Sequence, residues 1–213
     1  MDVVLDAVEV RVLGSLVEKE LSTPDYYPMT LNALTAACNQ KSNRDPVVQL
    51  EEADVQRALE GLQRKRLAGT STYGRATKYR HSLAERLGLD RPRLAVLASL
   101  MLRGPETAGE VRGRTGRMYG FETIEQAQAF LDDLSRAEPP LVAALPRLPG
   151  QKEQRYAHLL AGEPDVSAEP PPALEVHYAD DERLQALEDE VAALRDELGA
   201  LAAAFAAFRE QFE

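Results

Sequence analysis

Residues 50–80 read LEEADVQRALEGLQRKRLAGTSTYGRATKYR, and this stretch decides the fold that the sequence predicts. Its first half has apolar residues at helical spacing, with Val55, Leu59 and Leu62 on one face. Its second half is a short polar run, followed by residues 77–80, which alternate like a strand. A helix followed at once by a two-stranded ribbon is the outline of a winged helix-turn-helix.

Two further helices precede this stretch and complete one unit. Asp6 can cap a first helix, and Thr30 is the expected N-cap of a second helix that ends near Cys38. A wholly polar loop at residues 39–46 then leads to the third helix. We therefore predict a first winged-helix domain at residues 1–84.

The chain then repeats this order of elements. Residues 94–100, LAVLASL, echo residues 10–16, VRVLGSL, and Thr107 and Thr123 each open a capping box for one of the next two helices. Two strand-like segments with a turn between them follow these helices. An internal repeat of this size indicates two copies of one fold, so we expect a second winged-helix domain at residues 85–161.

A Pro-rich linker is predicted at residues 162–179, followed by an acidic coiled-coil helix at residues 180–213. The heptad pattern gives the candidate oligomerisation residues Leu184, Leu187, Val191, Leu194, Leu198, Leu201, Phe205 and Phe208. We expect a homodimer through this helix; the alternative is that it folds back on its own domains. The fold class is thus mainly α with small β wings: two tandem winged helix-turn-helix domains plus a C-terminal coiled-coil helix.

The net charge of −10 is unevenly distributed along the chain. Residues 163–213 hold 14 acids and 3 bases, so the preceding part is close to neutral and compatible with DNA binding. No apolar run approaches the roughly 20 residues that a membrane span needs, and the N-terminus lacks the cationic lead-in of a signal peptide. The single cysteine has no disulfide partner. We expect a cytoplasmic protein with no membrane association.

Residues that suggest catalysis are sparse. The sequence has no nucleophile elbow, phosphate-binding loop, paired-cysteine motif or zinc-protease motif. Cys38 lies on the apolar face of a helix, where a small buried hydrophobe is expected. The histidines, which are far apart, are His81, His158 and His177. We expect no enzymatic activity, no catalytic residue, no metal and no cofactor.

Nucleic-acid binding is better supported, because residues 64–80 contain six basic residues and no acid. In a winged helix the third helix enters the major groove and the ribbon lies over neighbouring phosphates. Gln and Arg can read base edges, while Lys and Arg suit phosphate contacts. The candidate nucleic-acid-binding residues are Lys41, Arg44, Gln56, Arg57, Arg64, Lys65, Arg66, Arg75, Lys78 and Arg80.

Acidic residues at the start of the third helix oppose this interpretation. The carboxylates at this end of the helix interact favourably with the helix dipole; they belong to Glu51, Glu52 and Asp54. They would repel phosphate if the N-terminus of the helix approached DNA. The alternative for the basic cluster is a helix C-terminus supplied with cations, followed by a solvated wing.

Two other polar features have more than one interpretation. The second repeat has an acidic third helix, but Arg112, Arg114 and Arg117 cluster before it and could follow a phosphate backbone. The loop at residues 39–46 is favoured as a cap for its neighbouring helices. It could also form a small anion-binding or partner-binding surface.

Four segments carry a family signature. They are TPDYYP at residues 23–28, TLNAL at residues 30–34, CNQKSNRDP at residues 38–46 and KYRH at residues 78–81. With them, about residues 5–160 resemble the YceH-like bacterial proteins. The resemblance implies tandem winged helices in a cytoplasmic protein, and the heptad tail is similar to the C-terminal coiled coil common in such proteins. It implies no activity and no catalytic residue. Glu51 departs from the Ser or Thr that similar proteins tend to have at the start of the third helix.

The leading hypothesis is a DNA-binding, regulator-like protein that contacts double-stranded DNA through the third helix and wing of its first domain. The alternative is a non-enzymatic protein-interaction scaffold, in which the winged-helix surfaces and the loop at residues 39–46 hold a protein partner. In both cases the coiled coil would set the number of copies.

Overall fold

The computed structural model describes residues 4–71, 76–147 and 153–164. Arg75, most of the predicted linker and the whole predicted coiled-coil helix lie outside these residues, so the oligomerisation residues stay a prediction. The described residues belong to one compact unit. They are mainly α-helical with small antiparallel sheets, as the sequence predicts.

The first half of the chain is helical and carries one two-stranded hairpin. Its elements, in chain order, are α1 (Ala7–Ser22), a 3-10 turn (Pro24–Tyr26), α2 (Leu31–Cys38), α3 (Glu52–Arg64), β1 (Ala68–Ser71), β2 (Lys78–His81) and α4 (Leu83–Leu87).

The two expected caps of the first half are confirmed. The Asp6 carboxylate accepts hydrogen bonds from the N–H groups of Val8 and Glu9, at 2.9 and 2.8 Å, and the Glu9 carboxylate accepts from the Asp6 N–H at 2.9 Å. The Thr30 hydroxyl accepts from the Ala33 N–H at 3.3 Å and opens α2. These local bonds satisfy N–H groups that a helix start leaves without partners.

The hairpin after α3 is held at the outer edge of β2. β1 and β2 are antiparallel, with Thr70 opposite Tyr79. On its other side Tyr79 exchanges two backbone hydrogen bonds with Met29, of 3.0 and 2.7 Å. The segment before α2 therefore fixes β2 in place, and β2 holds β1.

The second half has the same order of three helices and a hairpin, with one additional short strand. Its elements are α5 (Arg91–Arg103), β3 (Glu106–Thr107), α6 (Ala108–Arg114), α7 (Ile124–Arg136), β4 (Val142–Ala144) and β5 (Arg155–His158). The three strands form an antiparallel sheet in the order β3-β5-β4.

The predicted capping box of α6 is confirmed, and that of α7 is half right. Thr107 and Glu110 exchange reciprocal bonds at the start of α6, of 2.8 and 3.2 Å. Thr123 caps α7 by accepting from the Gln126 N–H at 3.2 Å. The Gln126 side chain accepts from the N–H of Glu122 instead of Thr123, at 2.8 Å, so the return bond reaches one residue further back.

A shared contact relates the third helices of the two halves to their hairpins. The Tyr79 hydroxyl of β2 bonds to Gln56 of α3 at 3.1 Å. In the second half the corresponding pair bonds in the opposite direction, because the Gln128 amide of α7 donates to the Tyr156 hydroxyl of β5. The two strands also share a sequence pattern, KYRH and RYAH. This equivalence supports the internal repeat.

Helices α1 and α5 pack closely against each other and join the two halves. Gly14 lies at this contact, because a Cβ there would be 3.0 Å from a side-chain carbon of Leu102. Arg91 spans the halves by donating to the carbonyls of Leu21 and Met118, at 2.8 and 2.9 Å. One continuous hydrophobic core includes residues from both halves.

Within the described part of the chain, none of the helices has the length and apolar character needed to traverse a lipid bilayer.

Candidate nucleic-acid interface

α3 lies at the surface of the first half with one apolar face turned inward. Val55, Leu59 and Leu62 are buried against α1 and α2. Arg57 and Arg64 are exposed on the other side of the helix. The amphipathic pattern of the sequence therefore predicts the orientation of α3 correctly.

Arg57 is the most exposed member of an ion pair on this surface, with 75% of its side chain accessible. Its guanidinium pairs with Asp54, and its Nε donates to the Ala53 carbonyl at 3.3 Å. A bond from the Glu51 N–H, and then the bond from Arg57, lower the pKa of the Asp54 carboxyl. An exposed pair of this kind is worth little, so a phosphate can replace Asp54 as the partner of Arg57 at small cost.

Gln56 is committed to contacts within the protein. Its side-chain oxygen accepts from the Tyr79 hydroxyl at 3.1 Å, and its amide nitrogen donates to Glu60 at 3.1 Å. This pair of bonds ties α3 to β2. Gln56 therefore positions the hairpin, and it reaches a base edge only if it gives up these partners.

Lys65 and Arg66 follow the end of α3 but face different surroundings. Lys65 pairs with Glu9, which is almost fully buried, and thus ties the end of α3 to α1. Arg66 is exposed and has a positive φ of 59°, which turns the chain from α3 toward β1. The Leu67 N–H closes this turn on the Leu62 carbonyl at 2.8 Å. Within the described ranges Arg66 makes no ion pair and is exposed to an anion, whereas Lys65 has a structural partner.

Lys78 and Arg80 are the residues of β2 directly before and after the buried Tyr79. Lys78 is half-buried, and Arg80 is 48% exposed. The Arg80 guanidinium is 3.6 Å from the exposed carboxylate of Glu85. Arg80 therefore sits in a weak surface pair, as Arg57 does, while Arg75 lies outside the described residues.

Arg44 does not belong to this surface, although the sequence proposes it as a candidate. Its side chain is 0% exposed. The guanidinium donates to both carboxylate oxygens of Glu18, at 3.0 and 2.6 Å, and to the Ala37 carbonyl, at 3.2 and 2.9 Å. Arg44 fastens the polar loop to α1 and α2, so we leave it out of the interface. Lys41, in the same loop, is exposed.

The loop at residues 39–46 closes on itself through Asn39. The Asn39 side chain donates to the Leu50 carbonyl and accepts from the Leu50 N–H, both at 2.8 Å. Arg11 also donates to the Pro46 carbonyl. The favoured interpretation of the loop as a cap fits the end of α2, where Arg44 donates to the Ala37 carbonyl. The start of α3 is bonded instead by its own residues, because the Glu51 N–H donates to the Asp54 carboxylate at 3.0 Å.

Two residues outside the set of candidates that the sequence proposes for nucleic-acid binding position this interface. Glu9 holds Lys65, and Tyr27 accepts a hydrogen bond from the His81 N–H at 2.6 Å. Burial raises the pKa of the Tyr27 phenol, so it stays protonated beside the hairpin. Glu9 reads locally as a capping residue, and only its contact across 56 residues of chain shows the second role.

The groups that could support catalysis are structural where they are described. Cys38 is buried, and burial raises the pKa of its thiol, which confirms the expected small hydrophobe. In the described ranges, no three or more His, Cys, Asp or Glu side chains form a group that could hold a metal ion.

Fold and site together define a class of mainly α-helical protein with exposed cations on one helix and the hairpin that follows it. Comparison with known protein families shows to which family the chain belongs. The model of the family described as "Protein of unknown function, DUF480" matches residues 5–151. The chain belongs to this family, which confirms the resemblance to the YceH-like bacterial proteins.

Relatives match the chain closely and over most of its length. The UPF0502 protein of Geobacter sulfurreducens is 54% identical over 219 residues and covers 100% of both chains. A UPF0502 protein of Geotalea daltonii is 56% identical over 195 residues, 89% of both chains. The UPF0502 protein of Solibacter usitatus is 49% identical over 215 residues, 100% of both chains.

Proposed function

We propose that the protein binds double-stranded DNA through the C-terminal end of α3 and the β1–β2 hairpin, and that each half is a winged helix. The support for the fold is the order of three helices and a hairpin in each half. The observation that carries the function is the set of exposed cations on α3 and its hairpin: Arg57, Arg64, Arg66 and Arg80. These are the elements that a winged helix places on DNA.

The contacts of the first half favour phosphate binding over base reading. Among the described residues, the ion-pair partners of Arg57 and Arg80 are the half-buried carboxylate of Asp54 and the exposed carboxylate of Glu85, which a phosphate can replace. Gln56 already bonds to Tyr79 and Glu60. Phosphate contacts give affinity without sequence information. We therefore expect binding that depends strongly on salt and weakly on sequence.

The second half is less suited to the same role. When α7 is aligned with α3 through their buried leucines, Ala129 stands where α3 has Arg57. Likewise Ala157 stands in β5 where β2 has Arg80. The second half thus lacks two of the cations, and we assign the principal DNA contact to the first half.

The test is fluorescence anisotropy of a labelled duplex at low salt. The double substitution Arg64→Gln and Arg80→Gln should weaken binding at least about tenfold and reduce the slope of log affinity against log salt by roughly two. The single substitution Arg64→Gln is compared with Arg136→Gln, the position of α7 that corresponds to Arg64; the first should weaken binding and the second should leave affinity unchanged. Absence of binding by the unaltered protein at low salt would refute the proposal.

A protein-interaction scaffold is the second candidate, favoured by Tyr26. This tyrosine is 81% exposed, and it lies in one of the family signature segments. Exposed aromatic side chains are enriched where proteins bind each other. A pull-down from nuclease-treated lysate should recover one stoichiometric partner, and Tyr26→Ser should release it. Loss of all partners after nuclease treatment would count against the scaffold.

Neither candidate requires catalysis, and the proposal includes no cofactor. A DNA-binding role is consistent with the cytoplasmic location that the sequence predicts. The proposed homodimer through the C-terminal helix would place two copies of the basic surface in one particle, which raises apparent DNA affinity without any new contact.

A further inference from the structure

A polar cleft lies between the two halves, away from the hairpin of the first half. Its volume is about 390 Å³. Its walls come from the end of α1, the loop at residues 39–46, the end of α5 and the segment after α6. Two features of the sequence with open interpretations thus meet in one cavity: this loop, and two of the three arginines near α6, Arg114 and Arg117.

Basic groups dominate the charged lining. Among the described residues, the lining holds one carboxylate, that of Glu18, and four cations, which are Lys19, Arg103, Arg114 and Arg117. Lys19 lies 3.6 Å from the Glu18 carboxylate. Both carboxylate oxygens of Glu18 accept hydrogen bonds from the buried Arg44, so the Arg44 guanidinium compensates the negative charge of Glu18. The lining therefore carries an excess of positive charge.

Two carboxylates hold Arg114 in position in the wall of the cleft. It donates to the fully buried Glu106 at 2.7 Å and lies 3.3 Å from Glu110. The other oxygen of Glu106 accepts from the buried Ser99 hydroxyl. This chain of bonds fixes the orientation of Arg114 in the wall, as pre-organised binding sites require.

Arg103 and Arg117 supply charge that lacks a carboxylate partner among the described residues. Arg103 donates to the side-chain oxygen of Asn43, and burial, followed by the charge of Arg114, lowers the pKa of its guanidinium. Arg117 is exposed at the rim and has no ion pair within the described ranges. Crowded cations of this kind are stabilised by an anion placed between them.

We propose that this cleft binds a small phosphate-bearing molecule that bridges the two halves. Planar guanidinium groups match phosphate oxygens in pairs. The hydroxyl and amide side chains of Ser22, Gln40 and Ser42 offer hydrogen bonds to the rest of the ligand. The volume falls in the range of small-molecule sites, and Leu102 and Met118 supply the apolar side chains of the lining. The ligand is therefore small and polar throughout, and a DNA duplex does not fit this cavity.

The test is calorimetric titration of the full-length protein with pyrophosphate at low salt. Unaltered protein should bind pyrophosphate saturably, and Arg117→Gln should weaken binding about tenfold, the loss expected for one charge-assisted contact. Arg112→Gln is the control, because Arg112 is an exposed arginine of the preceding helix, α6, and does not line the cleft. It removes the same charge and should leave the affinity unchanged.

Two further measurements distinguish the ligand class. Pyrophosphate should raise the melting temperature of the unaltered protein more than that of Arg117→Gln, and citrate should bind more weakly than pyrophosphate. Duplex DNA affinity should be the same in Arg117→Gln and the unaltered protein. The proposal is overturned by absence of saturable pyrophosphate binding, by equal losses in Arg112→Gln and Arg117→Gln, by tighter binding of citrate, or by loss of DNA affinity in Arg117→Gln.

Discussion

Replacing Arg44 by Met should destabilise the protein by about 3–5 kcal/mol, the loss expected when one partner of a buried ion pair is removed. The Arg44 side chain is 0% exposed and that of Glu18 is 12% exposed. The substitution leaves the Glu18 carboxylate without its two bonds, of 3.0 and 2.6 Å, and the Ala37 carbonyl without its two donors. Met replaces the aliphatic stem of Arg44 and removes the guanidinium, so the effect reports the loss of that group with its charge, its hydrogen bonds and its volume. Equilibrium unfolding in urea measures it.

The matched control is Arg57→Met, which removes the same group from an exposed pair. Arg57 is 75% exposed, so this change should cost no more than about 1 kcal/mol. Combining Arg44→Met with Glu18→Leu should recover part of the loss, because the second change removes a carboxylate that keeps Lys19, 3.6 Å away, as a partner but has lost both bonds from Arg44. Equal free energies of unfolding for Arg44→Met and Arg57→Met would refute the assignment of Arg44 to the interior. The folded fraction of Arg44→Met should bind DNA with the same affinity as the unaltered protein.

Three other predictions concern pH, packing and assembly. Burial lowers the pKa of His158 to about 4 from its ordinary value of 6.5, so the unfolded chain takes up a proton first as the pH falls. The resulting stability is present above about pH 6.5 and is lost toward about pH 4, by at most about 3 kcal/mol. Urea unfolding across this range should show that the free energy of unfolding of His158→Gln depends less on pH. An unchanged pH dependence in this variant would contradict the burial argument. Gly14→Val should destabilise the protein by about 1–3 kcal/mol through overpacking against α5. At Gly113 a Cβ meets nothing within 4 Å, so Gly113→Ala should stabilise the protein by up to about 1 kcal/mol. Thermal unfolding in which both variants change stability in the same direction would exclude this packing. The double substitution Leu187→Lys and Leu194→Lys should convert the predicted dimer to monomer in light-scattering measurements, and an unchanged mass would argue against the coiled coil.

The helix starts were predictable because their signals are local. Asp6, Thr30 and Thr107 each bond to N–H groups within three residues, so the sequence window that contains the cap also contains its partners. The inward face of α3 was predictable for the same reason, since the spacing of its apolar residues is enough to orient it. Local patterns thus account for the elements and for which faces they bury.

The composition of the candidate interface was less predictable, because it depends on contacts between distant segments. Arg44 reads as one more cation of a polar loop, and only Glu18, 26 residues earlier, shows that it is interior. Lys65 likewise depends on Glu9, and Gln56 on Tyr79. In each case the sequence gives the charge or polarity of a side chain, while the fold decides whether that side chain is already occupied.

The close packing of α1 on α5 bears on how a protein with this internal repeat could evolve. A duplicated unit that folds by itself can lose one copy without harm to the other. Here Gly14 admits α5 so closely that each half completes the hydrophobic core of the other. A gene that encodes only one half would leave an apolar helix face uncovered, and its product would need a substitute surface to remain soluble. Selection should therefore retain both copies together, even where only one of them contacts a ligand.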